Sequence, residues 1–289
     1  MKTAPSFNFM SFEIIPAHEV SFAQQADIFT QAFAGYVAGS FEMNADTLAR
    51  FIFHQGIDLW HSRFLRTDQT LVGFGYVNRT GNISRLAAMG VAPAARREGR
   101  ARRLLRHLLE EARARSDQAM VLEVIEQNAP AHELYRREGF HEIDRLLSWR
   151  RKPAAILGSP EMVEEVSLTA ATQMPNAVEF PRLPWPISRH AIAKVAGGRA
   201  YRAAGALVVI GDPHFNPVRI YALSTLSPES PDWPAMRAAL GAILQRYPDR
   251  EFFTPPVFPS AFGEKVFQPL GFAGEPLTQA HLRYDLETP

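Results

Sequence analysis

One order of signals occurs twice along this chain, and that repetition restricts its possible folds more than any other feature. Without gaps, Val91-Ala92-Pro93 aligns with Leu226-Ser227-Pro228. Leu104 and Leu105 then meet Ala239 and Leu240, and Leu108 and Leu109 meet Ile243 and Leu244. Farther on, three residues out of that register, Tyr135-x-x-x-Gly139-Phe140 faces Phe267-x-x-x-Gly271-Phe272. Self-similarity of this kind marks a duplicated unit; the alternative is coincidence between two α+β halves. A chain of 289 residues suits two units of roughly 150. The expected division is a first domain over 1–150, a linker over 151–184 and a second domain over 185–289. The linker is marked by Pro153, Pro160, Pro175, Pro181 and Pro184, with some helix expected at Glu161 to Val166.

Within the first half, helices and strands alternate. Phe22, Ala26, Phe29 and Phe33 fall at helical spacing, as do Leu48, Phe51 and Ile52 after caps at Asn44 or Asp46. SRFLRT, TLVGFGYVN and SRLAAMGV read as an antiparallel meander, with turns at Asp68-Gln69 and Thr80-Gly81-Asn82. Ala101, Leu104, Leu105, Leu108, Leu109 and Ala112 form one apolar helix face. MVLEVIE reads as a buried strand, Asn128 as the cap of a short helix that Gly139 stops, and HEIDRLLSWR as a further strand. In the second half ALVVIG, RIYALSTL and EFFTPPV read as strands, AMRAALGAILQR as a helix and HLRYDL as the closing strand. The fold class is therefore α+β.

Composition narrows the chemistry. Lys and Arg total 31 against 30 Asp and Glu, a balance that argues against a nucleic-acid partner. Cysteine is absent, which removes disulfides, thiolate metal sites and any acyl-cysteine intermediate. No apolar run reaches membrane-spanning length and the first residues do not read as a signal peptide, so the expected location is the cytoplasm. The nine histidines show no paired-ligand spacing, and no metal is expected. Gly73-Phe74-Gly75 lacks the following helix that a dinucleotide fingerprint requires, and Ser62 and Ser84 lack a nucleophile elbow.

The informative stretch is MGVAPAARREGRARRLLRHLL. It sets a strand end, a proline and Arg96-x-x-Gly99-x-Ala101 directly before an amphipathic helix. Backbone N–H groups at a helix N-terminus, with its partial positive charge, suit a pyrophosphate. Gly99 and Ala101 allow close approach, and Arg96, Arg97, Arg100, Arg102, Arg103 and Arg106 add positive charge. An ordinary surface helix with a solvated arginine face is the plain alternative. A second element, LEVIEQNAPAHELYRREGF, follows in the same half.

Together the two elements resemble the GNAT superfamily of acyl-CoA-dependent N-acyltransferases. That family carries V-x-P-x-x-[RQ]-x-x-G-x-[GA] on its fourth strand and third helix. It carries L-E-V-x-x-x-N-x-x-A-x-x-L-Y-x-x-x-G-F on its fifth strand and fourth helix. The resemblance covers residues 12 to 150 well and the second half only through the internal alignment. It implies two GNAT-like domains, each a mixed, mostly antiparallel sheet flanked by helices. The implied activity is N-acetyl transfer from acetyl-CoA to a primary amine of a small-molecule or peptide acceptor, without a metal. Met89 and Val91, where the fourth strand is expected to bulge, would pair with the pantetheine arm. The Val91 N–H would also face the thioester oxygen. Arg97, Gly99, Arg100, Ala101 and Arg102 would wrap the pyrophosphate, with Glu98 turned to solvent. Asn128 would meet the pantetheine amide. Tyr135 would protonate the leaving thiolate, its plain alternative being a core aromatic.

Leu122 and Val124 share one strand face, which leaves Glu123 on the other as a candidate base; a packing role is its alternative. Glu126 is a lesser candidate. Aromatics between residues 28 and 76 are mostly core, some expected to line the acceptor pocket. In the second half, Pro231, Pro234, Met236, Ser260 and Phe267 stand against Arg96, Gly99, Ala101, Asn128 and Tyr135. That copy should be degenerate, covering the acceptor site or building a homodimer interface. The competing class is a non-catalytic acyl-CoA-binding or sensor protein.

Overall fold

The meander read from the first half needs tight turns of the right hand, and the backbone supplies them. Asp68 and Gln69 both take positive φ, +47° and +66°, the pattern of a two-residue hairpin loop. In a computed structural model, residues 12–156, 161–174, 182–226 and 230–286 are described. They form two compact units, and the chain passes from the first to the second between Met120 and Val121, inside a strand.

The first unit takes in the described residues up to Ile52, Ile57–Met120 and the chain end from Asp285. Its strands β1 (Glu13–Pro16), β2 (Asp58–Thr67), β3 (Thr70–Thr80) and β4 (Ile83–Val91) pair antiparallel in that order. Helix α1 (Phe22–Ala32) starts in a capping box between Ser21 and Gln24. Before α2 (Ala45–Gln55), Asn44 Oδ1 accepts the Thr47 N–H at 2.9 Å, so Asn44 rather than Asp46 is the cap. Helix α3 (Arg100–Ala114) buries Leu104, Leu105, Leu108, Leu109 and Ala112. Gly75 on β3 makes room for that face: a Cβ there would stand 2.7 Å from Leu108 Cδ1. Opposite, Phe29, Phe64, Phe74 and Tyr76 are buried around Gln25, whose amide donates to the Ala17 and Val20 carbonyls and accepts the Tyr76 hydroxyl at 2.8 Å.

The second unit holds Phe53–Gly56 and Val121–Tyr284. It contains the greater part of β5 (Ala119–Ile125), then α4 (Ala129–Arg137), β6 (His141–Arg151), β7 (Glu164–Val166), α5 (Leu168–Gln173), α6 (Arg189–Ile192), β8 (Arg199–Ala203), β9 (Ala206–Ile210), β10 (Val218–Thr225), α7 (Trp233–Arg246), β11 (Phe252–Pro259), α8 (Ser260–Phe262) and β12 (Ala273–Asp285). The segment 164–166 is strand, not helix; the local helix follows it, started by the Ser167 hydroxyl on Ala170 N–H. Strands β7 to β10 form an antiparallel meander, β10 pairs parallel with β11, and β6 lies between β11 and β12, antiparallel to both. β12 in turn neighbours β5, so the closing strands of the two repeats interleave.

The repeat is visible in backbone detail. Gly139 and Gly271 both take positive φ, +98° and +81°. Phe140 N–H bonds the Tyr135 carbonyl at 3.0 Å, and Phe272 N–H bonds the Phe267 carbonyl at 3.0 Å. Helix α4 and the π and 3-10 turns (Gly263–Leu270) that continue α8 thus end in the same left-handed cap, closed by an aromatic pair. On the fourth strand the ungapped alignment slips. β4 bulges at Ala87 and β10 at Tyr221, and Ala92 N–H bonds Val72 as Leu226 N–H bonds Gly205. Leu226 therefore corresponds to Ala92, not Val91. Ser227 and Pro228 lie outside the described residues. Among the described residues no helix is long and apolar enough to cross a membrane.

Candidate active site

In the first unit the candidate residues run from β4 through a short 3-10 turn (Pro93–Ala95) into α3. The strand bulges at Ala87, upstream of Met89 and Val91, which themselves pair regularly with Gly75 and Gly73. The bulge still decides their use. Ala92 and Val72 form a hydrogen-bonded pair, so by the antiparallel alternation Val91 and Met89 are the non-hydrogen-bonded positions. Their N–H and C=O groups project away from β3. The Val91 carbonyl is taken by Arg96 Nε at 3.0 Å, while Arg96 Nη2 holds the Ala32 carbonyl at 2.9 Å. Residues Ala87 to Gly90 are half-buried in a strand otherwise largely closed.

Between β4 and α3 the backbone reverses hand twice, with Arg97 at φ +67° and Gly99 at φ +73°. Such alternation is the backbone pattern of an anion-binding nest. No side chain caps α3 and no acidic residue stands in its first turn. The helix dipole and the first-turn N–H groups are therefore left for an external anion.

The arginine cluster is less uniform than its count suggested. Arg96 is occupied by carbonyls, and Arg103 lies over the Phe12 ring at 5.2 Å. Arg100 is buried and pairs with Glu98 at 2.7 Å, so Glu98, exposed to solvent, also serves as a counter-ion. Arg97 is exposed, and its guanidinium has no hydrogen bond or ion pair among the described residues. Ala101 is half-buried and Arg102 exposed.

Glu123, Asn128 and Tyr135 belong to the second unit, on β5 and α4. Leu122 and Val124 are buried and Glu123 is the half-buried residue of its strand. Asn128 holds the N-cap position of α4, and its backbone carbonyl accepts Ala131 and His132 N–H. Its side chain does not cap the helix, contrary to the sequence reading, because ψ 66° is not the extended conformation a cap adopts. Tyr135 is 7% exposed and packs edge-on to Phe140. Glu126, the lesser candidate, is engaged elsewhere: burial opposes its charge, but hydrogen bonds from Arg145, at 2.9 Å, and Thr278 outweigh it and hold the carboxyl below its ordinary range.

The second repeat closes the same helix terminus from within. Asp232 Oδ1 accepts the Ala235 N–H at 3.0 Å and Pro234 removes a further donor at the start of α7. A carboxylate at that spot repels phosphate. The sequence signal was present in Asp232-Trp-Pro, a cap followed by proline in the first turn, but the alignment to the first repeat passed over it. Beside it lies a cavity of about 440 Å³ lined by Leu223, Thr225, Trp233, Met236 and Phe262 among others. Among the described residues no three His, Asp or Glu side chains gather to hold a metal ion.

Residues 27–140 match the family model described as "Acetyltransferase (GNAT) family". A protein from Pyrococcus horikoshii named as an acetyltransferase superposes with a TM-score of 0.66 at 16% identity, covering 99% of this chain and 94% of that one. A tandem GNAT protein from the clavulanic acid biosynthesis pathway gives 0.62 at 14%, covering 96% and 100%. A GCN5-related N-acetyltransferase from Sphaerobacter thermophilus gives 0.65 at 14%, covering 96% of each. These likenesses establish the fold over the whole chain. No curated protein matches in sequence.

Proposed function

Residues 27–140 are a GNAT-family acetyltransferase domain within a chain of two GNAT-like domains, and from this premise we propose an N-acetyltransferase with one working copy. The family uses acetyl-CoA. In this reading the pyrophosphate takes the uncapped N-terminus of α3, with Arg97 as its nearest mobile cation. The observation that carries the proposal is the contrast between the two repeats: α3 begins on a left-handed glycine with no capping side chain, and α7 on an aspartate cap.

The acceptor is a primary amine. As a free base it attacks the thioester carbonyl, forming the C–N bond and a tetrahedral oxyanion, which the Val91 N–H stabilises. The amine proton leaves towards Glu123, directly or through water. The C–S bond breaks as the Tyr135 phenol gives its proton to the CoA thiolate. No acyl-enzyme forms, in keeping with a chain that has no cysteine. The half-buried aromatics Phe33 and Tyr36 and the exposed Phe41, at the end of α1 and in the segment after it, are the proposed contacts for the body of the acceptor. The boundaries 1–150, 151–184 and 185–289 remain the proposed repeat limits, distinct from the compact units. Calorimetry with acetyl-CoA tests the reading. One saturating site per chain supports it; no binding below millimolar concentration overturns it.

A further inference from the structure

A second cavity, of about 220 Å³, lies within the second unit and is lined by His54, Trp185, Lys194, Arg219 and Tyr221 among others. It is built from cations without counter-ions. Arg219 lies on β10 with its guanidinium 4.5 Å from the centre of the Tyr221 ring, and its Nε is enclosed without an acceptor. Lys194 Nζ sits over the rings of Trp185 and Phe53 at 5.5 and 5.6 Å. Among the described residues no Asp or Glu lines the cavity. Burial depresses both cations, and no carboxylate among the described residues acts on either.

The backbone around the cavity is shaped for this arrangement. Gly56 takes φ +62°, and a Cβ there would fall 2.9 Å from Lys194 Nζ and 2.7 Å from Trp185 Cζ2. His54 Nδ1 is fixed 2.7 Å from the Lys194 carbonyl. Aromatic faces attract a cation but do not replace a hydrogen-bond acceptor, and an enclosed guanidinium N–H without one is costly.

We propose that this cavity is a binding site for a small oxyanion, carried on phosphate or on a short dicarboxylate, held between Lys194 and Arg219. An Arg fork takes two oxygens of either group, and Lys supplies a point charge. The volume has room for roughly seven water-sized groups, which suits such an anion and is too small for a CoA. The site stands independently of the acetyl-transfer reading.

The test is thermal unfolding and Trp fluorescence of the full chain titrated with sodium phosphate or sodium malonate, against sodium chloride at equal ionic strength. The expected result is a saturable response to at least one oxyanion and none to chloride. At ten times the Kd the melting temperature should rise by about 3–6 °C. Response to phosphate alone identifies the ligand as a phosphate, to malonate alone as a carboxylate. Lys194→Gln and Arg219→Gln should each weaken binding by roughly tenfold or more. Should Arg219→Gln fail to fold, half-buried Lys194→Gln carries the test. No saturable response in the unaltered chain, or an unchanged Kd in Lys194→Gln, overturns the proposal. Acetyl-CoA titration of the same variants should be unchanged, which keeps the two sites distinguishable.

Discussion

Gly99 and Gly81 offer a matched pair of perturbations. Both take positive φ, +73° and +60°, and a Cβ at either would meet nothing within 4 Å. Alanine at each therefore introduces the same local strain and no clash, about 1–2 kcal/mol for an L-residue held in the left-handed region. The two lowered melting temperatures should be similar. The binding consequences should differ. Gly81 lies in the β3–β4 turn, whereas Gly99 sets the direction of the chain into α3. If the strain at Gly99 is relieved by leaving the left-handed region, the bound loop must recover it. Acetyl-CoA affinity then falls by roughly 5–30-fold in Gly99→Ala and stays unchanged in Gly81→Ala. Calorimetry gives both Kd values, and thermal unfolding shows that both variants fold. Equal Kd values in the two variants would refute the assignment of the pyrophosphate to this loop.

Further outcomes follow from the same structure. Tyr135→Phe should lower turnover by roughly 10²-fold or more while leaving the acetyl-CoA Kd in place, measured as CoA release with a reactive amine. Asp232→Ala should lower the melting temperature by removing a cap worth about 1 kcal/mol, without raising the stoichiometry above one acetyl-CoA per chain, because Pro234 still removes a donor. Gly263→Ala should destabilise by about 1–3 kcal/mol, since its Cβ would lie 2.3 Å from Cζ2 of the buried Trp149 ring; Trp149→Phe in the same chain should recover part of the loss. Glu126→Gln tests an acid dependence. Its folded pKa lies below the ordinary value, so its contribution is full at neutral pH and fades as pH falls through the carboxylate range. Arg145 is more than half exposed, so the variant should lose at most about 1 kcal/mol at pH 7 and still less near pH 3, read from thermal unfolding at both values.

What the sequence made legible was what period and cap chemistry determine locally. The apolar face of α3, the meander and the glycine stop of α4 stand where spacing put them. What escaped depends on partners distant in sequence. β7 and β8 were missed because EEV and RAYRA are short and carry little alternation; each forms a strand only against its neighbour. Asn128 takes the cap position without its side chain capping, because the backbone there has ψ 66°, outside the extended conformation a cap adopts, which residue type alone does not reveal. The roles of Arg96 and Glu98 were hidden because charge patterning cannot tell a cation facing solvent from one bonded to the Ala32 carbonyl or neutralised two residues away. The second cavity has no local signature: His54, Lys194 and Arg219 are far apart in the chain.

The duplication supplies an internal control that a single domain lacks. Both copies run strand, helix, strand in the same order: β4, α3 and β5 in one, β10, α7 and β11 in the other. Features present in both are those the fold requires, such as the left-handed glycine and aromatic closure after Tyr135 and Phe267. Features present in one alone cannot be needed for the fold, since the other copy forms without them. Gly99 at the head of α3, the amide of Asn128 and the hydroxyl of Tyr135 fall in that second class; their counterparts are an aspartate-capped helix start, Ser260 and Phe267. Phe267 is the sharpest case. It keeps the ring, the burial and the aromatic contact of Tyr135 and drops only the hydroxyl. Packing thus accounts for the ring in both copies, and the hydroxyl is the difference on which the proposed acid role of Tyr135 rests. Phe267→Tyr should therefore restore no second site, because the Asp232 carboxylate still occupies the helix terminus that a pyrophosphate would need. A second acetyl-CoA bound by that variant would show that the cap is not what closes the second copy.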